Sequence, residues 1–208
     1  MIRANTNRNL VFHGNSIMAT QATRTQNSQY WTTRCYNNLL SSGVTNINHF
    51  NFAKTAKDTG FLNTQLSSII VGSLVSDKTY LIFHEITNDY VLIGSTATQC
   101  YNNVVTYCNT AVSLGIPKKN ILVGTMLARN FAGDPAGLEA DRLTINTNIR
   151  DNFSTFCGAV LDFATLPYFD AIGDASNTTY YDADKLHLSA TGDNEIEAVV
   201  TAQLRTML

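Results

Sequence analysis

Short apolar runs alternate with longer amphipathic segments along the chain. The apolar runs are compact and bounded by turn residues, which is typical of buried parallel strands. They predict strands at Leu10–His13, Ile47–Phe52, Tyr80–Glu85, Ile121–Met126 and Ala159–Phe163. Apolar residues at helical spacing predict helices at Gln29–Leu40, Phe61–Leu74, Thr96–Leu114, Gly137–Phe156 and Ala190–Met207.

The regular alternation of strand and helix predicts the fold class. Right-handed helical crossovers between parallel strands produce an α/β fold, here a doubly wound five-stranded parallel sheet in a three-layer sandwich. A length of 208 residues suits a single domain over 1–208. Ligands of such sheets bind at the carboxyl ends of the strands, so polar residues that directly follow a predicted strand are the candidates for chemistry.

Composition excludes several classes of protein. The net charge is −2 and only 14% of residues are charged, so the chain lacks the basic stripe of a nucleic-acid-binding protein. No run reaches the roughly 18 apolar residues of a membrane span. Met1–Asn5 lacks the apolar core of a signal peptide. We therefore expect a soluble protein with no nucleic-acid or membrane partner, whose oligomeric state and compartment stay open.

Cysteine and histidine spacing gives no sign of a metal site. Cys35, Cys100, Cys108 and Cys157 match no zinc-binding pattern, and we expect buried free thiols. The histidines at strand ends, His13, His49 and His84, stand alone and are expected to be packed or hydrogen-bonded. The sequence therefore predicts no metal and no cofactor.

Ser16 follows the first predicted strand in the run Gly14-Asn15-Ser16. A nucleophilic serine needs a hydroxyl held at a turn, with a backbone N–H available for the oxyanion that forms on the substrate. The alternative is a serine that caps a helix, for which serine is a favoured residue.

Asp184 and His187 lie three residues apart just before the last predicted helix. A carboxylate that accepts from one imidazole nitrogen leaves the other nitrogen free to take a proton from serine. The alternative is a surface pair that contributes only tenths of a kcal/mol. Asp182 is a competing partner for the histidine, ranked below Asp184.

Asn88 follows the third predicted strand in the run Thr87-Asn88-Asp89. Its side-chain amide is suited to donate to an oxyanion, although an Asn-Asp pair equally well forms a turn. The joint placement of Ser16, Asn88 and the Asp184–His187 pair, each at the expected sheet edge, favours catalysis over three unrelated turns.

These motifs resemble those of the SGNH (GDSL-type) hydrolases. Gly14-Asn15-Ser16 is similar to the family's Gly-Asp-Ser block, Ile86-Thr87-Asn88-Asp89 to its Gly-x-Asn-Asp block and Asp184–His187 to its Asp-x-x-His block. The resemblance spans nearly the whole chain and implies a flavodoxin-like strand order. It also implies a triad of Ser16, Asp184 and His187, with an oxyanion hole made by Ser16, Ala56 and Asn88.

The sequence departs from the family pattern at three positions. Asn15 replaces aspartate, Ile86 replaces glycine, and Ala56 stands where the second block has its oxyanion glycine. Alanine donates its N–H equally well at a negative φ; a φ above zero favours glycine.

The resemblance implies a serine esterase that acts on short-chain carboxylic esters. The weakly charged, polar composition is similar to that of phage and extracellular proteins, which makes an acetylated carbohydrate, with its O-acetyl groups, a candidate substrate beside small esters. The alternative is a catalytically weak or inactive module with the same fold that binds glycans or serves as a virion structural protein; Ile86 and Ala56 are its support.

Overall fold

A computed structural model describes residues 7–19, 30–73 and 76–208. Within them, five parallel strands form one sheet in the order β2-β1-β3-β4-β5, which is the flavodoxin-like order. The strands are β1 (Arg8–Gly14), β2 (Ile47–Asn51), β3 (Thr79–His84), β4 (Ile121–Gly124) and β5 (Ala159–Leu161). The predicted doubly wound α/β fold is confirmed.

Helices cover both faces of the sheet. They are α1 (Trp31–Ser41), α2 (Thr59–Ser73), the short α3 (Thr87–Val91), α4 (Ala97–Ser113), α5 (Leu138–Phe156) and α6 (Ala190–Met207). Alternate strand residues point to opposite faces, so Val11 packs with α2, α4 and α5, while Leu10 and Phe12 pack with α1 and α6. Two apolar cores therefore hold the sheet between two layers of helices.

Four predicted strands extend too far. β2 ends at Asn51, one residue before Phe52. β3 ends at His84, before Glu85, while β4 and β5 end two residues before Met126 and Phe163. Glu85, Met126 and Phe163 are nevertheless at most 1% exposed. The chain therefore stays buried after its last hydrogen bond to the neighbouring strand. An apolar run shows where burial ends, which is not where strand pairing ends.

Predicted helix bounds hold to within two residues where they can be compared. α2 begins at Thr59 instead of Phe61, and α3 was not predicted at all. The predicted ends at Gln29 and Leu74, like the segment Met1–Asn5, lie outside the described residues. All four cysteines are buried and free, which confirms the prediction for them.

The topology brings the candidate residues to one edge. The segments that follow β1, β2, β3 and β5 all leave the carboxyl ends of parallel strands, and these ends share one edge of the sheet. No helix in the described part of the chain is long and apolar enough to cross a membrane.

Candidate active site

Ser16 lies at the tip of a tight turn after β1. A Cβ atom on Gly14 would stand 2.3 Å from the carbonyl oxygen of His84, so only glycine allows β1 to end this close to β3. The Asn15 N–H donates to the same carbonyl at 3.2 Å. The Asn15 side-chain oxygen accepts from the Ile17 N–H at 2.9 Å. These bonds fix the backbone on both sides of Ser16, whose side chain stays half-buried.

A buried tryptophan anchors this turn to the first helix. The indole N–H of Trp31 donates to the carbonyl of Ile17 at 2.8 Å, and its ring packs edge-on against Phe12 with centroids 5.6 Å apart. Trp31 is 3% exposed and belongs to the apolar core beneath the turn. The turn that carries Ser16 is therefore held by β1, β3 and α1 together.

A continuous chain of hydrogen bonds joins Ser16, His187 and Asp184. The Nε2 atom of His187 lies 2.9 Å from the hydroxyl oxygen of Ser16, and its Nδ1 atom lies 2.6 Å from Oδ2 of Asp184. Since an ionised carboxylate only accepts hydrogen bonds, Nδ1 carries the proton and Nε2 faces the hydroxyl as an acceptor. The ring is thus in the tautomer that a general base requires.

The loop around Asp184 aims its carboxylate at the ring. Its Oδ1 atom accepts from the backbone N–H groups of Leu186 at 3.0 Å and His187 at 2.9 Å, which leaves Oδ2 for the imidazole. The tight turn is completed by Lys185, whose φ is 58°. Asp182 contributes its backbone N–H, which donates to the His187 carbonyl at 2.8 Å. The ring nitrogen of His187 therefore pairs with Asp184.

Hydrogen bonds keep Asp184 ionised. Partial burial acts to raise the pKa of this carboxyl, but the hydrogen bonds from His187 and Leu186 outweigh it, so the pKa lies below its ordinary value. The carboxylate is then able to stabilise a positive charge on the neighbouring imidazole.

Asn88 and the Ala56 segment are tied to each other and to the strand that carries Ser16. The Asn88 side-chain nitrogen donates to the carbonyl of Lys57 at 2.9 Å. The Lys54 N–H in turn donates to the carbonyl of Gly14 at 2.8 Å. Ala56 has a φ of 56°, so alanine occupies a left-handed position that favours glycine. The N–H groups of Ser16 and Ala56 have no acceptor among the described residues.

Glu85 is the residue that sequence reasoning missed. It is 0% exposed, and its Oε1 atom accepts from the Asn88 backbone N–H at 2.6 Å. Burial, followed by repulsion from Asp89, raises the pKa of the Glu85 carboxyl well above its ordinary value. An acidic residue at the end of an apolar run is the available signal, but the run itself predicts a strand with Glu85 as its last residue.

Of the three remaining histidines, His13 and His84 are packed in the core, whereas His49 is half-buried on β2 with its ring centroid 5.3 Å from that of Phe12. His13 Nδ1 lies 2.6 Å from the Tyr107 hydroxyl, and His84 Nε2 donates to the Thr125 carbonyl at 3.2 Å. Burial lowers the pKa of each to about 4. Within the part of the chain that the structure describes, no three His, Cys, Asp or Glu side chains cluster as metal ligands would.

The sequence matches no protein-family model, and no curated protein matches it. Solved structures, however, resemble it over almost its full length. A lipolytic protein of the G-D-S-L family from Veillonella parvula is 17% identical with a TM-score of 0.71, and the match covers 96% of this chain and 99% of that one. AlinE4, an SGNH-hydrolase family esterase, is 17% identical with a TM-score of 0.61 and 97% of both chains covered.

A carbohydrate acetylesterase family member from Sinorhizobium meliloti is also similar. It is 15% identical with a TM-score of 0.67, and the match covers 97% of this chain and 99% of that chain. At these identities the likeness shows the fold, which is that of the SGNH hydrolases.

Proposed function

We propose that this chain is a serine esterase of the SGNH (GDSL-type) family that hydrolyses short-chain carboxylic esters. The observation that carries the proposal is the hydrogen-bonded series Asp184–His187–Ser16 at the carboxyl edge of the sheet, with distances of 2.6 and 2.9 Å. Nucleophile, base and orienting carboxylate then stand in the order that acyl transfer requires. The fold shared with a lipolytic G-D-S-L family protein and with an SGNH-hydrolase family esterase adds support.

In the first half of the reaction, Ser16 Oγ attacks the ester carbonyl carbon while His187 Nε2 takes the hydroxyl proton. The carbonyl π electrons move to oxygen, and a tetrahedral oxyanion forms. Asp184, kept ionised by its hydrogen bonds, stabilises the imidazolium. The oxyanion accepts hydrogen bonds from the Ser16 N–H, the Asn88 side chain and the Ala56 N–H.

Collapse of the oxyanion breaks the bond to the alcohol oxygen. His187 Nε2 gives its proton to that oxygen, so the alcohol leaves and an acyl-Ser16 remains. In the second half, water attacks the acyl carbon and gives its proton to the same nitrogen. Ser16 then regains its proton from His187 as the acid is released.

The substrate class we favour is a small acyl ester, with O-acetyl groups on carbohydrate as one candidate. The weakly charged, polar composition and the similarity to a carbohydrate acetylesterase family member support acetylated sugars. Ser16 and His187 are both part-exposed, which suits an ester presented on a larger, hydrophilic alcohol.

Covalent labelling combined with a substrate panel tests this function. The wild type is incubated with an organophosphonate, digested and mapped by mass spectrometry. It is also assayed on p-nitrophenyl esters and acetylated sugars. We expect labelling at Ser16, hydrolysis of short esters and loss of both in Ser16→Ala. The matched control is Ser113→Ala, because Ser113 lies at the exposed end of α4 with its hydroxyl bonded to Thr110.

Absence of both labelling and hydrolysis in the folded wild type would contradict the esterase. It would favour the inactive glycan-binding or virion module instead.

A further inference from the structure

Glu85 is an acidic side chain in a place where burial of a charge is costly. It is 0% exposed, and no described Lys, Arg or His forms an ion pair with it. The titratable groups that face it are Asp89 on α3 and the Cys100 thiol on α4. Neither is a cation, so only hydrogen bonds from Asn88, Asn15 and the Asp89 backbone offset a negative charge on Glu85.

The hydrogen bonds of Glu85 reach two parts of the site. Its Oε1 atom accepts from the Asn88 backbone N–H at 2.6 Å, and its Oε2 atom lies 3.4 Å from the Asn88 side-chain nitrogen. The Asn15 side chain also hydrogen-bonds the Glu85 carboxyl. Asn15 directly precedes Ser16, so one carboxyl joins the nucleophile turn to the segment of Asn88.

We propose that Glu85 is a positioning residue, which acts as a neutral acid to hold the oxyanion donor Asn88 in register with the nucleophile turn. This role rests on the esterase activity proposed above. One Asn88 side-chain N–H is held by Lys57, and the second is only weakly engaged by Glu85. A neutral carboxyl is a weaker acceptor than a carboxylate, so this second N–H exchanges Glu85 for the oxyanion more readily. An ionised carboxylate would compete for it and repel the developing charge.

A purely structural role would be that of a helix cap. Ile86, the residue before α3, makes no side-chain cap hydrogen bond. The Glu85 carboxyl instead accepts the hydrogen bond of the Asn88 N–H in the first turn. A cap affects how much protein is folded. A positioning residue also affects kcat of the folded fraction, and the two roles are therefore separable.

Two substitutions with a matched pair of controls distinguish these roles. Glu85→Gln keeps the shape and the neutral state, whereas Glu85→Leu removes every hydrogen bond. Glu197 is 8% exposed and hydrogen-bonds Asn38 and Thr201 between α6 and α1, so Glu197→Gln and Glu197→Leu report the loss of a buried carboxyl elsewhere. The readouts are kcat and KM on p-nitrophenyl acetate and the melting temperature from pH 5 to pH 8.

We expect Glu85→Leu to lose at least about tenfold in kcat per folded molecule with KM within about threefold of wild type. Glu85→Gln should keep kcat within about threefold. The Glu197 variants should change the melting temperature and leave kcat per folded molecule unchanged.

The pH series adds a signature independent of activity. A carboxyl with a raised pKa in the folded state binds a proton there that the unfolded chain has lost. Its contribution to stability therefore decreases as pH rises from the unfolded value of about 4.3 towards the folded pKa. Glu85→Gln removes this loss, so its melting temperature should exceed that of the wild type by more at pH 8 than at pH 5.

Each outcome decides between roles. Glu85→Leu with wild-type kcat per folded molecule overturns the positioning role, and Glu85→Gln as impaired as Glu85→Leu overturns the neutral acid. If Glu85→Leu does not fold, Glu85→Gln still decides through its kcat and its pH series. A wild type that hydrolyses no ester overturns the esterase itself, whereas an active wild type equalled by every Glu85 variant overturns only the role of Glu85.

Discussion

The side-chain nitrogen of Asn88 lies 2.9 Å from the carbonyl oxygen of Lys57, the residue that follows Ala56. One of the two amide N–H bonds is thereby fixed, and the direction of the other follows from the planarity of the amide. This hydrogen bond links Asn88 to the segment of Ala56, the other proposed oxyanion donor besides Ser16. Asn88 is therefore both a structural link and a candidate oxyanion donor.

Asn88→Ala should lower kcat about a hundredfold with KM nearly unchanged, because the oxyanion bond strengthens only as charge develops. Loss of the Lys57 bond should also cost about 1 kcal/mol of stability, so kcat is expressed per folded molecule. The control is Asn103→Ala, which removes a 3.1 Å bond to Asp89 and should affect stability alone. An Asn88→Ala enzyme with wild-type kcat per folded molecule would make Asn88 a turn residue only.

Asp184→Asn should reduce kcat by roughly a hundredfold or more while the fold persists, because the imidazole loses the charge that stabilises it. The pKa of Asp184 is lowered in the folded protein. Its contribution to stability is therefore present above the unfolded pKa of about 3.9 and disappears as pH falls through the folded value.

Melting curves from pH 7 to pH 2 check the pH dependence. The melting temperature of the wild type should exceed that of Asp184→Asn at pH 7, and this difference should shrink as the pH falls. A difference that widens below pH 4 would show that the carboxylate is not stabilised by its partners.

Ala56→Gly should keep kcat within about threefold, because the N–H stays in place while a left-handed backbone is relieved. The control is Asn46→Gly, which relieves the same left-handed backbone conformation, with a φ of 56°, at a position outside the site. Ala56→Val should lose about tenfold in kcat, since a β-branched residue resists this conformation and moves the N–H. Steady-state kinetics of the three variants decide. An unchanged kcat in Ala56→Val would remove Ala56 from the oxyanion hole.

Acetyl and butyryl esters should be better substrates than esters of lipid-length acids. Leu92 and Ile93, which follow α3, are 57% and 61% exposed, so an acyl chain lying on them would remain largely in water. An enclosed groove would instead add about 0.8 kcal/mol for each buried methylene. The measurement is kcat/KM along a series of p-nitrophenyl esters. The preference for short acyl chains would be contradicted if kcat/KM rose steadily beyond about eight carbons and this rise disappeared in a Leu92→Ser, Ile93→Ser variant.

The sheet was predictable from sequence because its strands are buried on both faces and read as apolar runs. The end of each ladder was not predictable, since Met126 and Phe163 stay buried after pairing stops. α3 spans only five residues, too few for a helical period to show.

The candidate residues were predictable from their positions after strands, because parallel topology converts those positions into a shared edge. Two features of the site were not. The φ of Ala56 depends on the turn between β2 and α2, and alanine itself carries no sign of it. The role proposed for Glu85 depends on contacts with Asn15, 70 residues earlier in the chain, which the β1–β3 pairing brings about.

The hydrolysis of p-nitrophenyl acetate by Ser16→Ala, His187→Ala and the double variant tests the esterase most directly. If Ser16 and His187 act as one catalytic unit, each single variant should lose at least about a thousandfold in kcat/KM and the double variant should be little worse than either. Circular dichroism and melting curves confirm that all three remain folded. Turnover by folded Ser16→Ala at the wild-type rate would contradict the account.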